Sequence, residues 1–155
     1  MASSTLSGGA RRRLVVGIDY GEPSRLALHT ALDLARSRPS ELHVIAVAEG
    51  NAPGPREISE QARREFLAES QRALDAYLND VLARHPTGGE RPEVFTAVDF
   101  GSPTERILAL AEKVQADLVV VGTHGRTGID RLVVGSVAEN LLRHARCSVL
   151  GVRAK

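Results

Sequence analysis

Apolar residues along this chain recur in two patterns, which alternate from the N-terminus to the C-terminus. Five short runs are rich in Val, Leu and Ile, such as LVVV at residues 118–121. Runs of this kind are typical of strands buried on both faces of a parallel sheet. Between them lie longer stretches in which apolar residues recur every three or four positions, the spacing of one buried helix face. The pattern therefore predicts alternating strands and helices.

The predicted strands cover residues 14–19, 42–48, 93–99, 118–121 and 149–152, and the predicted helices cover residues 24–36, 59–84, 102–115 and 136–144. The third helix has the clearest start, since Ser102 can cap it, Pro103 suits its first position and Glu105 completes a capping box. Strict alternation favours an α/β fold: a single-domain, open, parallel five-stranded sheet with helices on both faces. Residues 1–12 are predicted to be a disordered lead, and residues 13–155 the folded domain.

Two helices carry specific predictions about burial. The third helix should bury Ile107, Leu110, Ala111 and Val114. The long second helix should bury a single apolar stripe, because its apolar residues recur at helical spacing. The stripe consists of Phe66, Leu67, Leu74, Leu78, Val81 and Leu82.

Composition excludes several classes of function. The 155 residues carry 20 basic and 19 acidic side chains, so the net charge of +1 argues against the basic surface of a non-specific nucleic-acid binder. The single cysteine, Cys147, excludes an internal disulfide. No apolar run approaches the roughly 20 residues needed to cross a bilayer, and the first residues lack a signal peptide's apolar core. The sequence therefore predicts a cytoplasmic protein with neither nucleic acid nor membrane as partner.

A glycine-rich segment follows the fourth predicted strand directly. Gly122 and Gly125 frame Thr-His, and Gly135 and Ser136 open the last predicted helix. A helix N-terminus presents free N–H groups and a partial positive charge, so the two segments could together cradle a phosphate, with Ser136 either capping the helix or bonding a phosphate oxygen. A plain structural loop explains the same glycines equally well. The segment lacks the GxxxxGK[ST] pattern of a P-loop.

Two side chains near this edge of the predicted sheet could carry chemistry. Asp19 ends the first strand, where a carboxylate could accept from ribose hydroxyls, hold a divalent cation beside phosphates, or simply close a turn before Gly21. His124 could donate to a phosphate or act as a general acid or base, and a loop histidine without a role is the alternative. The other four histidines share no metal-ligand spacing, so no function is assigned to them.

The segment from residue 119 to residue 153, VVVGTHGRTGIDRLVVGSVAENLLRHARCSVLGVR, resembles the C-terminal signature of the universal stress protein family. Its ATP-binding branch carries G-x2-G-x9-G-[ST], which is met here by Gly122, Gly125, Gly135 and Ser136. With the aspartate that ends the first strand, the resemblance covers about residues 14–153. It implies a Rossmann-like sheet of the adenine nucleotide alpha hydrolase type, with strand order 3-2-1-4-5.

The resemblance also implies which residues bind ATP, alone or with Mg²⁺ or Mn²⁺ beside Asp19. Adenine would meet the backbone of Val47, the ribose and phosphates would follow the glycine-rich loop, and the last helix would hold phosphates. The implied contacts are Gly17, Ile18 and Asp19 for adenosine, Val47 for adenine, Val121, Gly122, His124, Gly125 and Arg126 for the ribose–phosphate path, and Gly135, Ser136 and Val137 for phosphates. No catalytic residue is assigned.

The expected function is that of an ATP-binding universal stress protein, a nucleotide-dependent regulatory protein of the stress response. A slow Mg²⁺-dependent ATPase or phosphotransferase and a nucleotide-independent adaptor dimer are the alternatives. The resemblance further implies a homodimer, formed by pairing the last strands from Ser148 to Arg153 of two copies.

Overall fold

Strands and helices alternate along the chain in the computed structural model, which describes residues 11–48, 59–86, 91–124 and 134–154. The elements in chain order are β1 (Arg12–Ile18), α1 (Glu22–Ala35), β2 (Ser40–Ala48), α2 (Glu60–Arg84), β3 (Glu93–Phe100), α3 (Pro103–Lys113), β4 (Leu118–Gly122), α4 (Ser136–His144) and β5 (Ser148–Val152). The predicted alternation is therefore confirmed. The segment between β2 and α2, whose Gly50, Pro53, Gly54 and Pro55 are typical of a loop, lies outside the described residues.

The five strands form one parallel sheet in the order β3-β2-β1-β4-β5, as the resemblance implied. β1 lies at the centre, where Val16 is paired with Val44 of β2 on one side and with Val120 of β4 on the other. Because β2 and β4 extend the sheet in opposite directions from β1, the strand order reverses there. In open α/β sheets this is the place where ligands bind, beyond the carboxyl ends of the strands.

The core has two layers, one on each face of the sheet. Leu14 and Val16 of β1 pack with α1 and α2, whereas Val15 between them packs with α3 and α4. Successive side chains of a strand point to opposite faces, so the period of two distributes β1 between both layers. All three side chains have no solvent exposure. This burial on both faces explains why the central strands are continuous apolar runs.

Several boundaries differ from the predicted ones for local reasons. β1 begins at Arg12, two residues before the predicted start, because its N–H donates to the carbonyl of Pro39 and it pairs with Ser40. Residues 1–10 of the predicted lead lie outside the described residues. α1 begins at Glu22 because Pro23 is accommodated in its first turn. α3 ends at Lys113, ahead of the left-handed Gln115 at φ 52°. The predicted bounds of α4 are confirmed without change.

The predicted stripe of α2 is buried only in the second half of the helix. Leu74, Leu78 and Val81 are buried, whereas Phe66 is 39% exposed and stacks on Phe100 with ring centroids 4.9 Å apart. Because β3 ends at Phe100, the first turns of the 25-residue helix have little sheet beneath them. Helical spacing alone contains no information about where the sheet stops.

In α3, Ile107 and Ala111 are buried as predicted, while Leu110 and Val114 are partly buried against the same layer. The hydroxyl of Ser102 caps the helix by accepting the N–H of Glu105 at 3.4 Å. In the described residues, no helix is long and apolar enough to span a bilayer.

The first turn of α1 lies directly against the end of β4. A Cβ atom at Gly122 would come within 2.7 Å of Pro23 Cβ, 2.8 Å of the Pro23 carbonyl carbon and 2.9 Å of the Ser24 nitrogen. Two of these three atoms belong to the backbone of α1, which cannot rotate away. Gly122 is therefore required for helix–strand packing, whatever else the residue does.

Gly122→Ala should lower the free energy of unfolding by about 1–3 kcal/mol, the usual effect of overpacking a close contact. Gly17→Ala is the matched comparison, since its Cβ would meet the side-chain ends Ile107 Cδ1 at 2.8 Å and Val121 Cγ1 at 3.3 Å. Side-chain ends can shift, so Gly17→Ala should cost less than Gly122→Ala in urea unfolding. Equal losses would contradict the assigned contact.

Two histidines without metal-ligand spacing join α1 to the end of α2. His29 Nδ1 lies 3.0 Å from His85 Nδ1, and His85 Nε2 lies 3.3 Å from Asp33 Oδ1. Burial, and then the neighbouring His85, hold the pKa of His29 below its ordinary value of 6.5. The folded protein therefore binds fewer protons at His29 than the unfolded chain does.

Stability should fall as the pH is lowered through about 6.5 toward the depressed pKa of His29, because the unfolded chain takes up the proton first. Urea unfolding at a series of pH values measures this slope. His29→Gln should flatten it, because it removes the group whose pKa is lowered by folding. A slope insensitive to His29→Gln would show that other groups cause it.

Candidate functional site

A cavity of about 460 Å³ opens at the carboxyl ends of β1, β2 and β4, where the N-termini of α3 and α4 also meet. Its volume lies within the range of about 300–1,000 Å³ found for small-molecule sites. The lining residues are Gly17, Ile18, Asp19, Ser24, Ile45, Val47, Pro103, Ile107, Val121, Gly122, His124, Gly135, Ser136, Val137 and Ala138.

The cavity brings together all the predicted site residues that the structure describes. Ten of the twelve line it, and Gly125 and Arg126 lie outside the described residues. Sequence reasoning missed Ile45, which the period of two would have placed on the same face as Val47. It also missed Pro103 and Ile107, since nothing in the sequence shows that α3 closes this edge, and it missed Ser24 and Ala138.

One half of the cavity is apolar. Ile45 and Val47 of β2 face Pro103 and Ile107 of α3. Gly17 has no side chain, and this leaves the space that the end of the Ile107 side chain occupies. The β1–β2 ladder ends at the pair Ile18–Ala46, whereas Val47 still has Asp99 of β3 as its register partner. The backbone of Val47 therefore has no strand partner on the β1 side. This apolar half of the cavity thus also contains backbone polar groups that the β1–β2 ladder does not pair.

The other half is formed by the start of α4. The N-cap of this helix is Gly135, and no side chain of the described residues caps it. Ser136 is the first helical residue rather than the cap, which corrects the capping role considered for its hydroxyl. An uncapped helix N-terminus presents N–H groups without intrahelical partners and a partial positive charge toward the cavity. The arrangement favours an anion.

His124 is hydrogen-bonded through one ring nitrogen and has no partner among the described residues at the other. Its Nδ1 lies 2.9 Å from the hydroxyl of Thr123, so this nitrogen is engaged in a hydrogen bond. Its Nε2 is buried and has no hydrogen-bond partner among the described residues. A buried polar atom without a partner costs about 1–3 kcal/mol, so a ligand atom that completes this hydrogen bond would recover stability.

Asp19 closes a turn at the end of β1. Its Oδ1 accepts the N–H of Gly21 at 2.9 Å, and its own N–H donates to the hydroxyl of Ser24 at 3.3 Å. That hydroxyl donates in turn to the carbonyl of Gly21 at 3.0 Å. Tyr20, at the tip of the turn, has a left-handed φ of 64°. The turn role considered for Asp19 is therefore present, and its carboxylate also lines the cavity.

Metal ligands are few in this part of the structure. No group of three His, Cys, Asp or Glu side chains in the described residues is placed to hold a metal ion. A cation beside Asp19 would therefore have to take further oxygen ligands from a bound phosphate or from water.

Asp19→Ala should lower the free energy of unfolding by about 1 kcal/mol, because it removes the acceptor of the Gly21 N–H. Asp19→Asn keeps a carbonyl oxygen in that position and should stay close to the wild-type protein. Thermal or urea unfolding of both variants makes the comparison. A similar loss in Asp19→Asn would show that the negative charge, rather than the hydrogen bond, stabilises the turn.

Comparisons with known proteins point to one family. Residues 10–153 match the Universal stress protein family. A putative universal stress protein of Staphylococcus aureus strain USA300 is 28% identical over 145 residues, which are 93% of this chain and 85% of that protein.

Solved structures show the same fold. The universal stress protein UspA from Lactobacillus plantarum has a TM-score of 0.71 and 22% identity, with 94% of this chain and all of that chain covered. A universal stress protein in complex with cAMP has a TM-score of 0.61 and 26% identity, with 94% and 98% covered.

Proposed function

This chain belongs to the universal stress protein family, and we propose that it binds ATP in the cavity between the ends of β1, β2 and β4 as a nucleotide-dependent regulatory protein of the stress response. The observation that carries the proposal is the buried, unpartnered Nε2 of His124 beside the uncapped start of α4. Both features favour an anionic group. A relative of 26% identity forms a complex with cAMP, which supports a nucleotide as the molecule that carries this anionic group.

The apolar half of the cavity fits the base. Ile45, Val47 and Ile107 offer a surface for a flat ring, and the backbone of Val47 beyond the β1–β2 ladder offers hydrogen-bond groups to its edge. Adenine has an edge with one donor and one acceptor, which a single residue's carbonyl and N–H can match. The ribose then lies toward Asp19 and Gly122.

The start of α4 fits the phosphates. Gly135, Ser136 and Val137 line the cavity, so the first N–H groups of α4 and the Ser136 hydroxyl are the proposed donors, and His124 adds another where Nε2 carries the proton. Gly125 and Arg126 are proposed to extend this contact from the family motif. Where Mg²⁺ or Mn²⁺ accompanies ATP, Asp19 would be its protein ligand and would neutralise part of its charge.

We propose binding with at most slow hydrolysis. The titratable side chains among the described lining residues are Asp19 and His124, and one oxygen of Asp19 is already used in its turn. Lys113 lies at the far end of α3, about 15 Å along the helix from Pro103, so it is not at hand for a developing γ-phosphate charge. This set of groups binds phosphates better than it transfers them.

The homodimer through β5 and the cytoplasmic location stay predictions. β5 is an edge strand of the described sheet, so its outer side has no neighbouring strand within that sheet. We infer that a second copy pairs there, since an unpaired edge readily adds another strand.

Isothermal titration with ATP and Mg²⁺ should give saturable binding, and mass spectrometry of the purified protein should find a bound adenine nucleotide. Ser136→Ala should weaken ATP binding by up to about tenfold, the effect of one hydrogen bond to a charged oxygen. Ser37→Ala, which changes an exposed hydroxyl after α1, is the matched control and should bind ATP as the wild type does. Absence of binding at millimolar ATP would overturn the proposal.

A further inference from the structure

Thr123 is held on four sides by different parts of the protein. Its N–H donates to the carbonyl of Val152 in β5 at 2.9 Å, and its own carbonyl accepts the N–H of Gly135, the N-cap of α4. Its hydroxyl is hydrogen-bonded to His124 Nδ1. Its methyl group lies over Gly151, where an added Cβ would come within 2.8 Å of Thr123 Cγ2.

The contacts of the side chain fix its rotamer. Threonine is branched at Cβ, so the position of the methyl group determines the position of the hydroxyl. Gly151 leaves the space that the methyl group occupies, and the hydroxyl then points to His124. Where the hydroxyl is the donor of this pair, the neutral imidazole carries its proton on Nε2, in a ring that lines the cavity.

We propose that Thr123 is a positioning residue for the nucleotide site: it holds the His124 ring with Nε2–H as a donor to an anionic ligand and ties that orientation to β5 and to the start of α4. Thr123 is absent from the cavity lining, so it acts through His124 rather than on the ligand. The inference rests on the proposed function for its ligand, but the hydrogen bond to His124 exists without one.

The first test uses the ligand-free protein. A hydrogen bond shifts the ¹⁵N resonance of an imidazole nitrogen, so long-range ¹H–¹⁵N spectra at a pH where histidine is neutral should show His124 Nδ1 displaced from the free value. Thr123→Val keeps the branched shape without the hydroxyl and should move Nδ1 toward the free value. Thr123→Ser keeps the hydroxyl and should retain most of the displacement. An Nδ1 resonance unchanged in Thr123→Val would overturn the proposal, whether or not ATP binds.

The second test measures ATP affinity. Thr123→Val should weaken binding about tenfold, and Thr123→Ser about two- to threefold, because the hydroxyl remains but its rotamer is no longer held. A loss in Thr123→Ser equal to or larger than that in Thr123→Val would overturn the positioning role, because the loss would then follow the packed methyl group rather than the hydroxyl. If the wild type itself does not bind ATP, the proposed function fails, and the nitrogen resonances still decide the role of Thr123.

Gly151→Ala tests the link to β5 from outside the cavity. The new methyl group should displace Thr123 and weaken ATP binding several-fold, although Gly151 does not line the site. In a Thr123→Ser background the opposing methyl group is absent, so Gly151→Ala should have little further effect. Additive losses in this double-mutant cycle would show that the two residues act independently and would overturn the link.

Discussion

The contact between Gly122 and the first turn of α1 sets the position of the strand ends beside the cavity. It brings the end of β4 to the backbone of Pro23 and Ser24, at distances where no side chain fits. Ser24 in turn bonds the Asp19 turn at the end of β1, and Thr123 follows Gly122 directly. The two strand ends that meet where the strand order reverses are therefore locked to one helix start, and the cavity lies beside that joint.

Hydrogen bonding around this joint separates groups that hold the structure from groups that are available to a ligand. The polar groups of the Asp19 turn satisfy one another through Ser24 and Gly21. By contrast, α4 starts without a side-chain cap and the Nε2 of His124 is buried without a partner among the described residues. Asp19 therefore stabilises the wall of the cavity, and the unpartnered polar groups described here lie on the α4 side.

Much of the fold follows from local sequence patterns, because each strand and helix buries a face that its own residues define. The bounds of α4 and the capping hydroxyl of Ser102 are examples of features that the sequence predicts. Contacts between distant elements leave no such signal. The exposure of Phe66 depends on where β3 ends, the pairing of His29 with His85 depends on how α1 meets α2, and neither is encoded in spacing. The same holds for Gly122, whose motif suggested ligand approach but whose nearest atoms belong to α1.

The site lies beside the shortest helix in the described part of the chain. α4 has nine residues, fewer than an isolated helix needs in water, and its N-cap is a glycine, which offers no side-chain oxygen to the first N–H groups. Its buried residues are Ala138 and Leu141, Val137 packs partly buried against the same layer, and the N–H of Gly135 bonds the carbonyl of Thr123. An anion bound at this end would supply what the missing cap does not. The start of α4, which Gly135 leaves without a capping side chain of its own, is thus the feature that would give the proposed phosphate a place to bind.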